Sequence, residues 1–185
     1  SVRAMVHATI AERTESVALV KTHNLLGHVA SMPLINLAVS AGSIIVIRDP
    51  RDVAPSLAKH LGAPIDEAIK VMGTNAYHTN NQAEQAFEMW GSWSEHVQSW
   101  TMRPSDAALV VRYEDLIEKP TETFGAIVKH LRQNPTQEQL LEAIELSSFG
   151  ELRRQEEQYD FRERSPRSDR FFVSGKAGTW REKLT

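Results

Sequence analysis

Two short stretches of this 185-residue chain hold side chains that could do chemistry. The first is Ile47-Arg48-Asp49-Pro50-Arg51-Asp52-Val53-Ala54-Pro55-Ser56. An arginine grips a phosphate-like anion with a planar fork, and a helix N-terminus attracts anions through its free N–H groups. Ser56, eight residues after Arg48, offers a hydroxyl to the same anion. The second stretch is Lys21-Thr22-His23. A histidine near a lysine is a candidate general base beside a cation that stabilises developing charge. Each stretch also has a plainer reading. Arg48 could make a surface ion pair, and His23 could simply satisfy a hydrogen bond.

These side chains need elements to position them. Ile44-Ile45-Val46-Ile47 is a short apolar run closed by Asp49-Pro50, which predicts a buried strand. Asp49 suits a helix N-cap and Pro50 the first helical position. Arg48 then lies at the carboxyl end of a strand, the edge where open α/β sheets bind ligands. Ser16 to Val20 predicts another short strand, delivering Lys21 and His23 to the same edge. Ala107 to Arg112 predicts a third, with Tyr113 at its end, either reaching the ligand edge or lying half-buried under the sheet.

Helical patterns cover 1–15, with Met5, Val6 and Ile10 as apolar positions, then 64–73, 120–132 and 136–147. A longer one is predicted over 81–101, where Phe87, Trp90, Trp93, Val97 and Trp100 recur as a core stripe and His96 is structural. Residues 27–40, interrupted by Pro33, predict a helix or turn. Alternating strands and helices imply an α/β fold with a parallel sheet. Residues 151–170 hold Arg153, Arg154, Arg162, Arg164, Arg167 and Arg170 among acidic residues, predicting a solvated loop or a flexible cover over an anionic ligand. Backbone N–H groups around Gly175-Lys176-Ala177-Gly178 could form an anion nest.

Length and composition suit one globular domain over residues 1–185. A net charge of -3 argues against nucleic acid as a partner. There is no cysteine, hence no disulfide framework or thiolate metal site, which suits a reducing compartment. The expected location is the cytoplasm. No apolar run reaches membrane-spanning length, so no membrane partner is expected.

Taken together, these segments resemble the sulfotransferases that use 3′-phosphoadenosine 5′-phosphosulfate (PAPS). Val20-Lys21-Thr22-His23 resembles the family's Lys-Thr-His segment, which implies His23 as general base and Lys21 as stabiliser of the transferring group. The Arg48 to Ser56 stretch resembles its 3′-phosphate segment, and Arg112-Tyr113-Glu114-Asp115-Leu116 the segment whose Tyr lies near the nucleotide. Ser147-Ser148-Phe149 is similar to the segment around the adenine. Gly175-Lys176-Ala177-Gly178-Thr179-Trp180 is similar to the turn that closes on the 3′-phosphate, and Ser174, Gly175 and Lys176 are expected to bind the cofactor there.

The resemblance implies a P-loop-NTPase-like parallel sheet covered by helices, incomplete at both ends. It implies sulfuryl transfer from PAPS to a hydroxyl or amine of a small-molecule acceptor, leaving adenosine 3′,5′-bisphosphate (PAP), with no metal required. The chain departs from the family in three places. A Pro-Lys-Ser-Gly-Thr type phosphosulfate loop is not found, and no glycine precedes Gly27, so that loop is expected upstream of Ser1 and the 185 residues alone are expected not to turn over. Val173 stands where an arginine is frequent, and Pro55 interrupts the helix just before Ser56. A nucleotide or small-molecule kinase on a similar sheet, and a non-catalytic nucleotide-binding remnant, are the alternative readings.

Overall fold

The computed structural model describes residues 2–79, 86–159, 161, 163–164 and 169–184. The chain forms two compact units, Ser1–Ser43 with Val71–Ala108, and Ile44–Lys70 with Leu109–Thr185.

The first unit opens with helix α1 (Val2–Arg13). Its expected apolar positions do not make a core face, since no α1 residue is buried and Met5 and Val6 are exposed. The strand expected at Ser16 to Val20 does not form: these residues are irregular, and Val17, Leu19 and Val20 are exposed. A strand exists only through its ladder, and apolar β-formers cannot supply a partner. Residues 27–40 hold a small antiparallel hairpin, β1 (His28–Val29) and β2 (Met32–Pro33), then a 3-10 turn at Leu37–Val39.

The helix expected over 81–101 is much shorter, running as α4 over Trp93–Thr101. Residues 81–85 of that expectation lie outside the described residues. Residues 86–90 are not helical; His78 and Met89 form an antiparallel bridge, and the N–H of Thr79 donates to the Glu88 carbonyl at 2.8 Å. Gly91 then turns the chain with φ 65°, a conformation that suits glycine. Ser92 and Glu95 form a capping box that starts α4. Phe87 and Trp90 therefore leave the helical stripe and pack on His78 and Tyr77, each with ring centroids 5.6 Å apart.

In the second unit the local signals hold. Strand β3 (Ser43–Ile47) is followed by α2 (Pro50–Leu61), and Asp49 caps α2 by accepting from the Arg51 N–H. Strand β4 (Ala108–Arg112) lies beside β3 as a parallel pair and runs into α5 (Tyr113–Glu118). Ile45 and Val111 of these strands are buried, with Ala54 and Ala58 of α2. Pro55 sits inside α2 without ending it.

Helices α3 (Ile65–Gly73), α6 (Pro120–His130) and α7 (Gln137–Leu146) match the expected patterns. Part of the charge-dense segment is helix rather than loop, α8 (Phe149–Tyr159). Pairs one turn apart support it: Arg154 meets Glu151 at 2.7 Å, and Arg153 meets Glu157 at 3.6 Å. Hydrogen bonds from Arg154 hold the Glu151 carboxyl down to about 2. Arg162 and Arg167 lie outside the described residues. The chain closes with α9 (Trp180–Lys183). Among the described residues, no helix is long and apolar enough to cross a membrane.

Candidate active site

Arg48 follows β3 and precedes the α2 cap, where the strand–cap–helix pattern puts it. Its guanidinium carbon lies 4.5 Å from the centre of the Tyr113 ring, and one Nη donates to the Lys176 carbonyl at 3.2 Å. The structure thus brings three expected site residues, Arg48, Tyr113 and Lys176, to one place. The Arg48 Nε is buried and has no hydrogen-bond acceptor among the described residues. A buried donor left without a partner is costly, so such an atom marks a place where a ligand acceptor fits.

The turn that Arg48 touches has two left-handed glycines, Gly175 with φ 57° and Gly178 with φ 76°. A Cβ on Gly175 would overlap the Phe149 ring, so Phe149 lies against this turn. The Ser147 hydroxyl is at the end of α7, donating to the Ala143 carbonyl at 2.7 Å. Ser174 is half-buried in the irregular run before Gly175.

Asp52 anchors the turn, a role not singled out from the sequence. Its side chain is buried and accepts from Gly178 N–H at 2.6 Å, Trp180 N–H at 2.8 Å and the Thr179 hydroxyl at 3.1 Å. Burial pushes its carboxyl up, but these bonds and the Arg48 charge outweigh burial and hold it below the ordinary value. Ser56 is exposed four residues further along α2, on the same helix face as Asp52. The guanidinium carbons of Arg51 and Arg181 lie 3.9 Å and 4.6 Å from the centre of the Trp180 ring, and Arg51 also bonds Asp49. The bonds from Arg51 keep the Asp49 carboxyl below its usual value despite some burial. Glu114 accepts from the Asp49 N–H at 3.0 Å, tying the start of α5 to the start of α2.

In the first unit, Lys21 and His23 lie on irregular chain rather than at a strand end, and both are exposed. Asn24 does the positioning. It is buried, its side-chain amide donates to the Thr22 hydroxyl at 3.0 Å, and its Oδ1 accepts from the Met89 N–H at 2.9 Å. The Leu25 N–H donates to the Met89 carbonyl at 2.9 Å, and Trp100 Nε1 donates to the Asn24 carbonyl at 3.2 Å. His23 Nδ1 meets Glu88 Oε1 at 3.1 Å, a partner that sequence reasoning missed. The nearby His96 donates from Nδ1 to the Trp90 carbonyl at 3.0 Å; burial, with a smaller push from His23, lowers its pKa, so it favours the neutral form.

A family model described as the sulfotransferase domain matches residues 4–185. Among solved structures, the chain is similar to mouse sulfotransferase SULT7A1 complexed with PAP, with a TM-score of 0.60 and 17% identity over 80% of this chain and 54% of that one. It is similar to retinol dehydratase in complex with androsterone and inactive cofactor PAP, with a TM-score of 0.71 and 23% identity over 96% of this chain and 52% of that one. A second retinol dehydratase structure, in a complex with retinol and PAP, gives 0.58 and 22% over 78% and 43%. The chain spans about half the length of these proteins. No curated protein matches it.

Proposed function

The chain belongs to the sulfotransferase domain family, and from that premise we propose that the full-length protein moves a sulfuryl group from PAPS to a hydroxyl or amine of a small-molecule acceptor. The observation that carries the proposal is the environment of Arg48. A guanidinium with a buried, unpartnered Nε stacks on Tyr113 and touches a turn with two left-handed glycines. Those are the features a phosphate-bearing nucleotide requires: a charged donor with spare capacity, backbone N–H groups in a concave turn, and a neighbouring aromatic ring.

Within this reading, Arg48 and Ser56 hold the 3′-phosphate. Gly178 N–H and Trp180 N–H are already bound to Asp52, so the anion is assigned to the earlier part of the turn, Ser174 to Ala177, with the Lys176 charge beside it. Tyr113, Ser147 and Phe149 flank the nucleoside. PAPS supplies the sulfuryl group when bound. His23 takes the acceptor's proton, and Lys21 stabilises charge at the transferring group. The androsterone and retinol of the similar structures support a small-molecule acceptor as the second partner. Cytoplasmic location belongs to the same proposal and rests on the cysteine-free sequence.

A thermal shift of the 185-residue chain with PAP against ADP tests this. A ligand at about 100 times its Kd adds about 2.7 kcal/mol, or roughly 5–11 °C for a protein of this size. PAP is expected to give that shift and ADP little. Equal shifts would sink the 3′-phosphate reading and favour a kinase-like site. Turnover of labelled donor with a panel of phenols, alcohols and amines then tests the transfer itself.

A further inference from the structure

His23 meets its one described partner, Glu88, on an otherwise exposed ring: the His23 side chain is 55% accessible and that of Glu88 19%. The backbone on both sides of this contact is pinned. Asn24 Oδ1 accepts from the Met89 N–H and the Leu25 N–H donates to the Met89 carbonyl, each bond 2.9 Å long. Glu88 is held to Thr79 in both directions: its N–H donates to the Thr79 hydroxyl at 3.0 Å, and its carbonyl accepts from the Thr79 N–H at 2.8 Å. The second carboxylate oxygen is occupied as well, because Trp90 Nε1 donates to Glu88 Oε2 at 3.0 Å. An indole N–H can only donate, and a carboxylate can only accept.

From this arrangement we infer that Glu88 is a positioning residue, which holds the proton of neutral His23 on Nδ1 and leaves the Nε2 lone pair to act as the base. The inference rests on the reading of His23 as the general base. It adds that the competent tautomer is imposed by Glu88, and that Trp90 orients Glu88. The ring nitrogen that is free for chemistry is set by the bond the other one makes.

Trp90 makes the idea unusually testable. In Glu88→Gln the side chain has one oxygen and one NH₂ group. Trp90 must keep the oxygen, since its N–H cannot face a donor. The NH₂ group then faces His23 Nδ1, which has to accept, and the proton moves to Nε2. That removes the base without removing the histidine. In Glu88→Gln with Trp90→Phe no indole competes for the oxygen, which can turn back to His23 and restore the proton to Nδ1.

The experiment is ¹⁵N spectroscopy of the histidine rings in the full-length protein, with the His23 signals assigned by their loss in His23→Ala, alongside steady-state kinetics. Wild type is expected to carry its proton on Nδ1, Glu88→Gln on Nε2, and the double variant on Nδ1 again. Turnover should fall by about 10²–10⁴-fold in Glu88→Gln, the usual worth of a general base, with acceptor KM within a few-fold, and should recover in part in the double variant. Glu88→Gln retaining its proton on Nδ1 would overturn the inference, and so would a double variant that stays on Nε2. If His23→Ala itself keeps full turnover, the base assignment of the preceding section fails, while a tautomer switch in Glu88→Gln would still establish the Glu88–Trp90 device.

Discussion

Replacing Asp52 with alanine probes the anchor of the nucleotide turn most directly. The carboxylate accepts three hydrogen bonds from Gly178, Thr179 and Trp180, at 2.6, 3.1 and 2.8 Å. Its residue is 2% exposed, so water does not readily replace the lost acceptor. Each donor left unpaired costs about 1–3 kcal/mol, and the partly exposed hydroxyl of Thr179 should lie at the bottom of that range. Asp52→Ala is therefore expected to destabilise the protein by about 3–7 kcal/mol, a range that includes the cost of breaking a buried charged pair, and to lower Tm by roughly 6–28 °C. Asp52→Asn keeps one acceptor oxygen and should cost less than alanine. The turn would then have to be ordered by the ligand itself, so PAP affinity should fall about 10–100-fold, at about 1.4 kcal/mol per decade. Denaturant unfolding and calorimetric titration of PAP measure the two effects. An alanine variant within 0.5 kcal/mol of wild type, or one whose PAP affinity is unchanged, would refute the idea that Asp52 holds this turn in its binding shape.

Other outcomes follow from the same geometry. Arg48→Ala should weaken PAP binding more than Ser56→Ala, because bonds to a charged group are worth about 1.5–3 kcal/mol each and an arginine can make two; equal losses by calorimetry would reverse that ranking. Gly175→Ala combines a left-handed backbone with overlap of its Cβ on the Phe149 ring, so PAP affinity and Tm should both drop; an unaffected Tm would mean the turn is softer than its geometry implies. Stability should fall on acidification in two stages, followed as Tm against pH. Burial lowers the pKa of His96, so its contribution is complete above about pH 6.5 and declines as pH falls below that. Asp52 and Asp49 have depressed folded pKa values, so their contribution is complete above about pH 4 and disappears as pH falls through the folded values; Asp52→Asn should flatten this lower stage.

The parts legible in the sequence are those whose physics is local. The Asp49-Pro50 cap after an apolar run specifies a strand end and a helix start through bonds between neighbours, and the structure has both. The Ser92–Glu95 capping box was equally readable, and it would have shortened the predicted 81–101 helix. The aromatic spacing from Phe87 to Trp100 obscured it, because residues on either side of a tight turn can mimic helical periodicity. Ser16 to Val20 has strand composition but no ladder in the structure, since pairing depends on a partner that composition does not specify. The two carboxylates that organise the sites were invisible for a stronger reason. Asp52 reads as an ordinary first-turn acid, and its acceptor role depends on a turn 126 residues away. Glu88 reads as one charge among many, and it meets His23 across 65 residues. Local sequence determined which residues could bind an anion or take a proton. Only tertiary packing decided which carboxylate holds the turn and which one faces the histidine, because hydrogen-bond partners are chosen by distance in space and not by separation along the chain.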